Sequence, residues 1–195
     1  MTDVRTVCVY CASSPGAPDR YLSLAAMLGE AIARRGWTLL YGGGAAGLMG
    51  ALADAALAAG GEVVGVRPAF ISRIEAPHSR VADMCFTETM HERKAIFFER
   101  ADAFVALPGA IGTLDELVET ITWKRLGLLA QPICIVNADG FFDPLVAQLE
   151  RFVDASLVAR PFLDLFQVAP DIPETMALLA RHRPRAAAPI LWDGA

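Results

Sequence analysis

Five runs rich in Val, Ile and Leu, at 4–10, 37–41, 62–66, 102–107 and 132–136, punctuate the chain, and segments with helical spacing separate them. A sheet with one wet face alternates apolar and polar residues along each strand. These runs are nearly continuous, so both faces of their sheet must be covered. Helical patterns span roughly 19–35, 47–59, 89–101, 113–129 and 141–156, with a weaker one at 173–182, and further short strands are expected at 81–88 and 165–168. The alternation predicts an α/β fold: a doubly wound, mostly parallel sheet with helices on both faces, Rossmann-like in type. At 195 residues the chain has the length for one domain with a core of its own, placed at 1–183. The last segment, 184–195, holds two prolines and an alanine run and reads as a loosely ordered tail.

Apolar residues make up 54% of the chain, rich for a soluble monomer, yet no run approaches the roughly 18 residues of a membrane span. The surplus predicts a subunit interface, with the helices carrying Ile96-Phe97-Phe98 and Ile121 to Leu129 as its surfaces. Seventeen basic against 22 acidic residues leave a net charge of -5, a field that opposes nucleic acid and acidic membranes, so no nucleic acid and no membrane partner is expected. A small molecule is the expected guest. The first five residues carry neither a long apolar segment nor a cleavage pattern, which predicts a cytoplasmic protein. Cys8 and Cys11 form a C-x-x-C pair in letters only: an offset of three along a strand sends them to opposite faces. Scattered histidines complete the case against a metal site, and no metal is expected.

Four segments carry candidate chemistry. Ala103 to Thr120 runs from an apolar strand through Pro108-Gly109-Ala110-Ile111-Gly112-Thr113 into a helix, with Leu114, Asp115 and Glu116 following. Glycines admit a ligand to the backbone, and the helix start offers free N–H groups and a positive dipole end, so a phosphate is the expected guest. Thr113-x-x-Glu116 also fits a capping box, in which Glu116 would serve only stability. In either role, a place in the first turn would keep Glu116 ionised. Gly42-Gly43-Gly44-Ala45-Ala46-Gly47 matches G-x-G-x-x-G, but it follows the second strand, and Glu62 precedes rather than ends the third. A nicotinamide site is therefore set aside in favour of close approach of Gly43 and Gly44 to a ribose or phosphate. Thr89-Met90-His91-Glu92-Arg93-Lys94 opens a helix through a Thr89-x-x-Glu92 capping box. Met90, Arg93 and Phe97 share one stripe, where an arginine needs an anion, either a structural partner or a substrate. Ser13 and Ser14 close the first strand, as ligand contacts or as caps.

Read jointly, Tyr41-Gly42-Gly43-Gly44 with Gly47-Leu48-Met49-Gly50, Met90-His91-Glu92-Arg93-Lys94, and Pro108-Gly109-x-x-Gly112-Thr113-x-x-Glu116 resemble the Lonely Guy family over residues 5 to 180. These are cytokinin riboside 5′-monophosphate phosphoribohydrolases, often labelled lysine decarboxylases. The resemblance implies a homodimer that hydrolyses the N-glycosidic bond of N6-modified adenosine monophosphates without a cofactor, releasing free base and ribose 5-phosphate; some bacterial relatives also cleave AMP. It places the catalytic pair on Arg93 and Glu116 and nucleotide contacts on Glu75, Arg93, Lys94 and Gly109 to Asp115. Ala110 stands where the family has a second glycine, a strained choice if that position needs positive φ. Relatives of the fold also resemble molybdenum cofactor carriers, which leaves a nucleotide- or cofactor-binding protein without turnover as the alternative. No lysine sits in an evident pyridoxal phosphate motif, so a decarboxylase is set aside.

Overall fold

The computed structural model describes residues 4–182; the expected tail at 184–195 lies outside them. Seven strands, β1 (Thr6–Tyr10), β2 (Thr38–Tyr41), β3 (Val63–Pro68), β4 (Asp83–Thr87), β5 (Ala103–Ala106), β6 (Ile133–Val136) and β7 (Gln167–Ala169), form one sheet. Every pairing is parallel and the spatial order is β4-β3-β2-β1-β5-β6-β7. The chain thus winds outward from β1 to one edge, then crosses back to β5 and winds to the other. The reversal leaves a crevice beyond the carboxyl ends of β1 and β5, where open parallel sheets bind ligands.

Six helices cover the sheet: α1 (Asp19–Arg34), α2 (Gly47–Ala58), α3 (Met90–Arg100), α4 (Ile111–Arg125), α5 (Asp143–Asp154) and α6 (Ile172–Arg181). They divide by face. Leu28 and Ile32 of α1, Leu48 and Leu52 of α2 and Met176 and Leu179 of α6 share one core cluster with Val7, Val9 and Tyr41. Phe97 and Phe98 of α3, Leu117 and Ile121 of α4 and Leu149 of α5 share the other with Cys8, Tyr10 and Phe104. Cys8 and Cys11 fall into different clusters, and all four cysteines are free, as the strand offset requires. Burial holds both of these thiols well above their usual pKa, so they are inert protonated side chains.

Of the expected interface surfaces, the α3 one loses its two phenylalanines to the core, while the 121–129 one keeps Leu126 and Leu128. Phe97, Phe98, Ile121 and Leu129 are buried core residues; the exposed apolar side chains of that region are Val118, Leu126 and Leu128. No helix among the described residues is long and apolar enough to cross a membrane.

Two local features aim the site. β3 and β4 are joined without a full helix: the connection makes one short 3-10 turn, Ile71–Arg73, and then lies across the carboxyl end of the sheet. It is fastened there by an antiparallel bridge of Gly44 with Pro77, by the His78 N–H donating to the Gly43 carbonyl, and by His78 against Asp54 of α2. The Thr89 hydroxyl caps α3 by accepting from the Glu92 N–H at 3.1 Å, so the anticipated cap forms, while the Glu92 carboxylate accepts from the N–H of Glu88, one residue before the N-cap, instead of from Thr89.

Candidate active site

Beyond the ends of β1, β2, β3 and β5 lies a cavity of ≈ 400 Å³, within the range of small-molecule sites. Loop 11–14 after β1, Gly42 after β2, Arg67 of β3, Glu75 of the crossing loop, Met90 and Arg93 of α3, and Ala110, Gly112, Thr113 and Glu116 at the start of α4 all line it. Another hollow of ≈ 360 Å³, walled by Lys124, Asp164, Arg181 and His182, opens at the amino ends of β6 and β7, the wrong end of the sheet for a ligand site.

The floor of the cavity is an ion pair. Arg93 Nη2 lies 3.1 Å from Glu116 Oε1, with both side chains more than nine-tenths buried. The Arg93 guanidinium carbon also lies over the Phe97 ring, 5.2 Å from its centre, a cation–π contact. Glu116 is set from behind: the Thr120 hydroxyl donates to the Glu116 carbonyl at 2.7 Å, which leaves the Tyr10 hydroxyl to donate to Thr120 Oγ1. Two buried hydroxyls therefore tie the β1 core to the backbone of α4 at Glu116.

Two expectations about Glu116 are overturned together. α4 begins at Ile111 with Ala110 as its N-cap, so Thr113 is already inside the helix and makes no capping box with Glu116. Neither Asp115 nor Glu116 is in the first turn, and the dipole does not dominate the carboxyl. Burial raises the Glu116 pKa, and the Arg93 guanidinium offsets only part of that rise. Ala110 has φ -96°, an ordinary extended conformation, so the alanine in place of a glycine carries no strain.

Of the other expected contacts, Ser13, Glu75, Met90, Ala110, Gly112 and Thr113 are brought together around the cavity. Lys94 and Asp115 instead pair with each other at 3.2 Å, and Lys94 also meets Glu119 at 2.6 Å. Ile111 is exposed to solvent and Leu114 leans on the α3–α4 core. Gly109 supports the turn from behind: a Cβ there would fall 2.0 Å from the Thr113 hydroxyl oxygen. Gly43 and Gly44 do not line the cavity as Gly42 does; Met84 and Arg67 lie beside the first, and Met49 and Glu75 beside the second. Their small size serves the protein's own side chains. Arg67 was missed by sequence reasoning; the available signal was a lone charge at the end of an otherwise apolar strand. Among the described residues no group of three or more His, Cys, Asp or Glu side chains gathers as a metal site would.

The model of a family described as "Possible lysine decarboxylase" matches residues 49–179. A probable cytokinin riboside 5′-monophosphate phosphoribohydrolase of Oryza sativa is 41% identical over 92% of this chain and 79% of its own. The cytokinin riboside 5′-monophosphate phosphoribohydrolase of Mycobacterium marinum is 41% identical over 90% of this chain and 93% of its own. Among solved structures, the molybdenum cofactor carrier protein of Chlamydomonas reinhardtii superposes with a TM-score of 0.68 over 90% of this chain and 96% of its own, at 22% identity, a likeness of fold. With a family model matched over two thirds of its length and named relatives matched over nine tenths, the chain belongs to the cytokinin riboside 5′-monophosphate phosphoribohydrolase family.

Proposed function

We propose that this protein hydrolyses the N-glycosidic bond of adenosine 5′-monophosphates, N6-modified ones and AMP itself, to free base and ribose 5-phosphate. The observation that carries the reading is the buried Arg93–Glu116 pair at the floor of a cavity whose rim is the start of α4. The 5′-phosphate takes the free N–H groups of the turn from Gly109 to Thr113. Glu116 then faces the ribose C1′, where positive charge grows as the C1′–N9 bond breaks and its electron pair leaves with the purine. Water adds its oxygen to C1′; the proton it loses passes to Glu116, whose raised pKa suits that transfer, and from there to the purine. Arg93, always charged, steadies the negative charge on the departing base. The reaction as written uses water and the chain's own groups alone.

The names of the relatives support this chemistry, and the geometry supports it against two others. Decarboxylation through pyridoxal phosphate needs a lysine at the site, and none lines the cavity among the described residues. Lys94, the nearest by sequence, is lowered by burial but raised on balance by Glu119 and Asp115, which hold its amine as a cation rather than a nucleophile. A carrier without turnover has no use for a buried carboxyl of raised pKa against an arginine. The assembly we assign is a homodimer, resting on the exposed Val118, Leu126 and Leu128, and its place of work the cytoplasm; a monomer mass in sedimentation would overturn the first. The test of function is incubation with isopentenyladenosine monophosphate and with AMP, followed by chromatography of base and ribose 5-phosphate. Glu116→Gln should lose roughly 10²-fold or more in rate while remaining folded. Intact nucleotide in every wild-type reaction sinks the reading.

A further inference from the structure

The connection from β3 to β4 is built unlike the others. Among the described residues it is the one link between successive strands that contains no α-helix. A helical crossover holds to its sheet by an apolar face. This one has almost none: from Ala69 to Ala82 only His78 and Val81 are buried, while Phe70 and Ile74 stand exposed. Yet the loop contributes Ile71 and Glu75 to the cavity wall, so its placement shapes the site. Polar contacts must hold it, and they converge on His78. The His78 backbone N–H donates to the Gly43 carbonyl at 3.1 Å, and its carbonyl accepts from the Val81 N–H at 3.3 Å. In the ring, Nδ1 accepts from the Arg80 N–H at 3.3 Å, which puts the ring proton on Nε2, and Nε2 donates to Asp54 Oδ1 of α2 at 2.9 Å. Every polar group of a residue only 6% exposed is thus used, tying the loop to the turn after β2, to α2 and to itself.

We propose that His78 is a positioning residue for the reaction: held between Asp54 and the Arg80 backbone, its ring latches the crossing loop over the cavity and so fixes where Ile71 and Glu75 stand. The effect on rate rests on the proposed nucleotide hydrolysis; the latch itself does not. It can be released from outside the cavity, because Asp54 is half-exposed on α2 and is not part of the cavity wall. Without that carboxylate the His78 Nε2–H is left in the interior with no acceptor, a cost relieved when the ring turns out to water and carries the loop with it. Asp54 also pairs with the Arg80 side chain, but both partners there are exposed, where an ion pair adds little. The ring, not the surface pair, is the latch.

Hydrogen exchange at the position-78 amide, whose bond to Gly43 does not involve the ring, measures the latch without substrate. Asp54→Ala should speed that exchange roughly tenfold or more, as loss of a hydrogen bond to a charged group would. Alanine suits an exposed helix position, so the fold survives this change and the variant carries the test if His78→Ala fails to fold. In hydrolysis of AMP, Asp54→Ala should raise KM about five- to tenfold with kcat within about twofold of wild type. His78→Ala should match it on both readouts. Asp54→Asn keeps an acceptor oxygen for the ring N–H and Arg80→Ala keeps the backbone donor, so both should stay within about twofold of wild type. Exchange left unmoved by Asp54→Ala and His78→Ala overturns the proposal, as does an Arg80→Ala effect as large as theirs, or faster exchange with KM unchanged. Faster exchange in variants of a wild type that releases no base keeps the latch and sinks the hydrolase reading; base release with exchange unmoved does the reverse.

Discussion

Two glycine turns face each other across the crevice, and they use glycine for opposite ends. In the turn after β2 the missing side chains make room for the protein: a Cβ on Gly42 would lie 2.3 Å from Arg93 Nη2, and one on Gly44 would lie 3.0 Å from Glu75 Oε1. In the turn after β5, Gly109 makes room for Thr113, but a Cβ on Gly112 would meet nothing within 4 Å. The first turn is filled from within and the second is left open at the helix start. A glycine-rich motif thus announces close approach without saying whether the visitor is a side chain or a substrate.

The largest expected effect tests the backing of the second turn. Gly109→Ala drives a Cβ into the branched, buried Thr113, which has no flexible end to give way, and should cost about 3 kcal/mol in chemical denaturation. An unchanged midpoint would remove Thr113 from the turn's support. Gly42→Ala comes next: the long Arg93 side chain can retreat, so the fold survives while the guanidinium leaves Glu116, and kcat/KM should fall roughly ten- to hundredfold at nearly constant Tm. Equal loss of stability and activity would make the two turns alike. Gly112→Ala should do what neither of these does, stabilising α4 by about 0.5–1 kcal/mol, while raising KM for the nucleotide by about fivefold if the phosphate occupies the open side. A gain in stability with KM unmoved would place the phosphate elsewhere.

The charge between the turns responds to pH. Because the folded state raises the Glu116 pKa, its contribution to stability is complete below the ordinary carboxyl range and is lost as pH rises through the raised value. Glu116→Gln has no such loss, so its Tm relative to wild type should improve as pH increases from about 4 to 8. A constant difference would mean that Arg93 fully neutralises the burial cost. Smallest of all, Ala110→Gly should change activity by less than about twofold and stability by about 0.5 kcal/mol or less, since φ there is ordinary. A large gain in rate would show that the alanine restricts the turn.

The sheet was legible because continuous Val, Ile and Leu runs have few uses other than a doubly covered parallel sheet, and all five long runs became strands. The cap at Thr89 was equally readable, although Glu92 turns back to the Glu88 N–H and not to that of Thr89. The box at Thr113 has the same letters and did not form, because α4 starts earlier and Arg93, 23 positions away in sequence, claims Glu116. Local spacing cannot weigh a partner brought in by another helix. The same blindness hid Phe97, Phe98 and Ile121: bulky residues on a helix read alike whether they face a neighbouring subunit or the core. Arg67 escaped because its meaning lies in Glu75, placed beside it only by the crossing loop.

Cys11, at the end of β1, is part of the cavity wall, and its position bears on how the site can be attacked chemically. A thiol next to a substrate pocket invites covalent inhibitors, but this one is almost wholly enclosed, and burial, reinforced by the nearby Glu116, keeps it protonated. Electrophilic warheads consume thiolate, so such compounds should spare this protein where they label exposed cysteines. Lead compounds for the pocket should therefore gain their hold from reversible anionic groups directed at Arg67 and Arg93, and assays can run without added reductant for the sake of this residue.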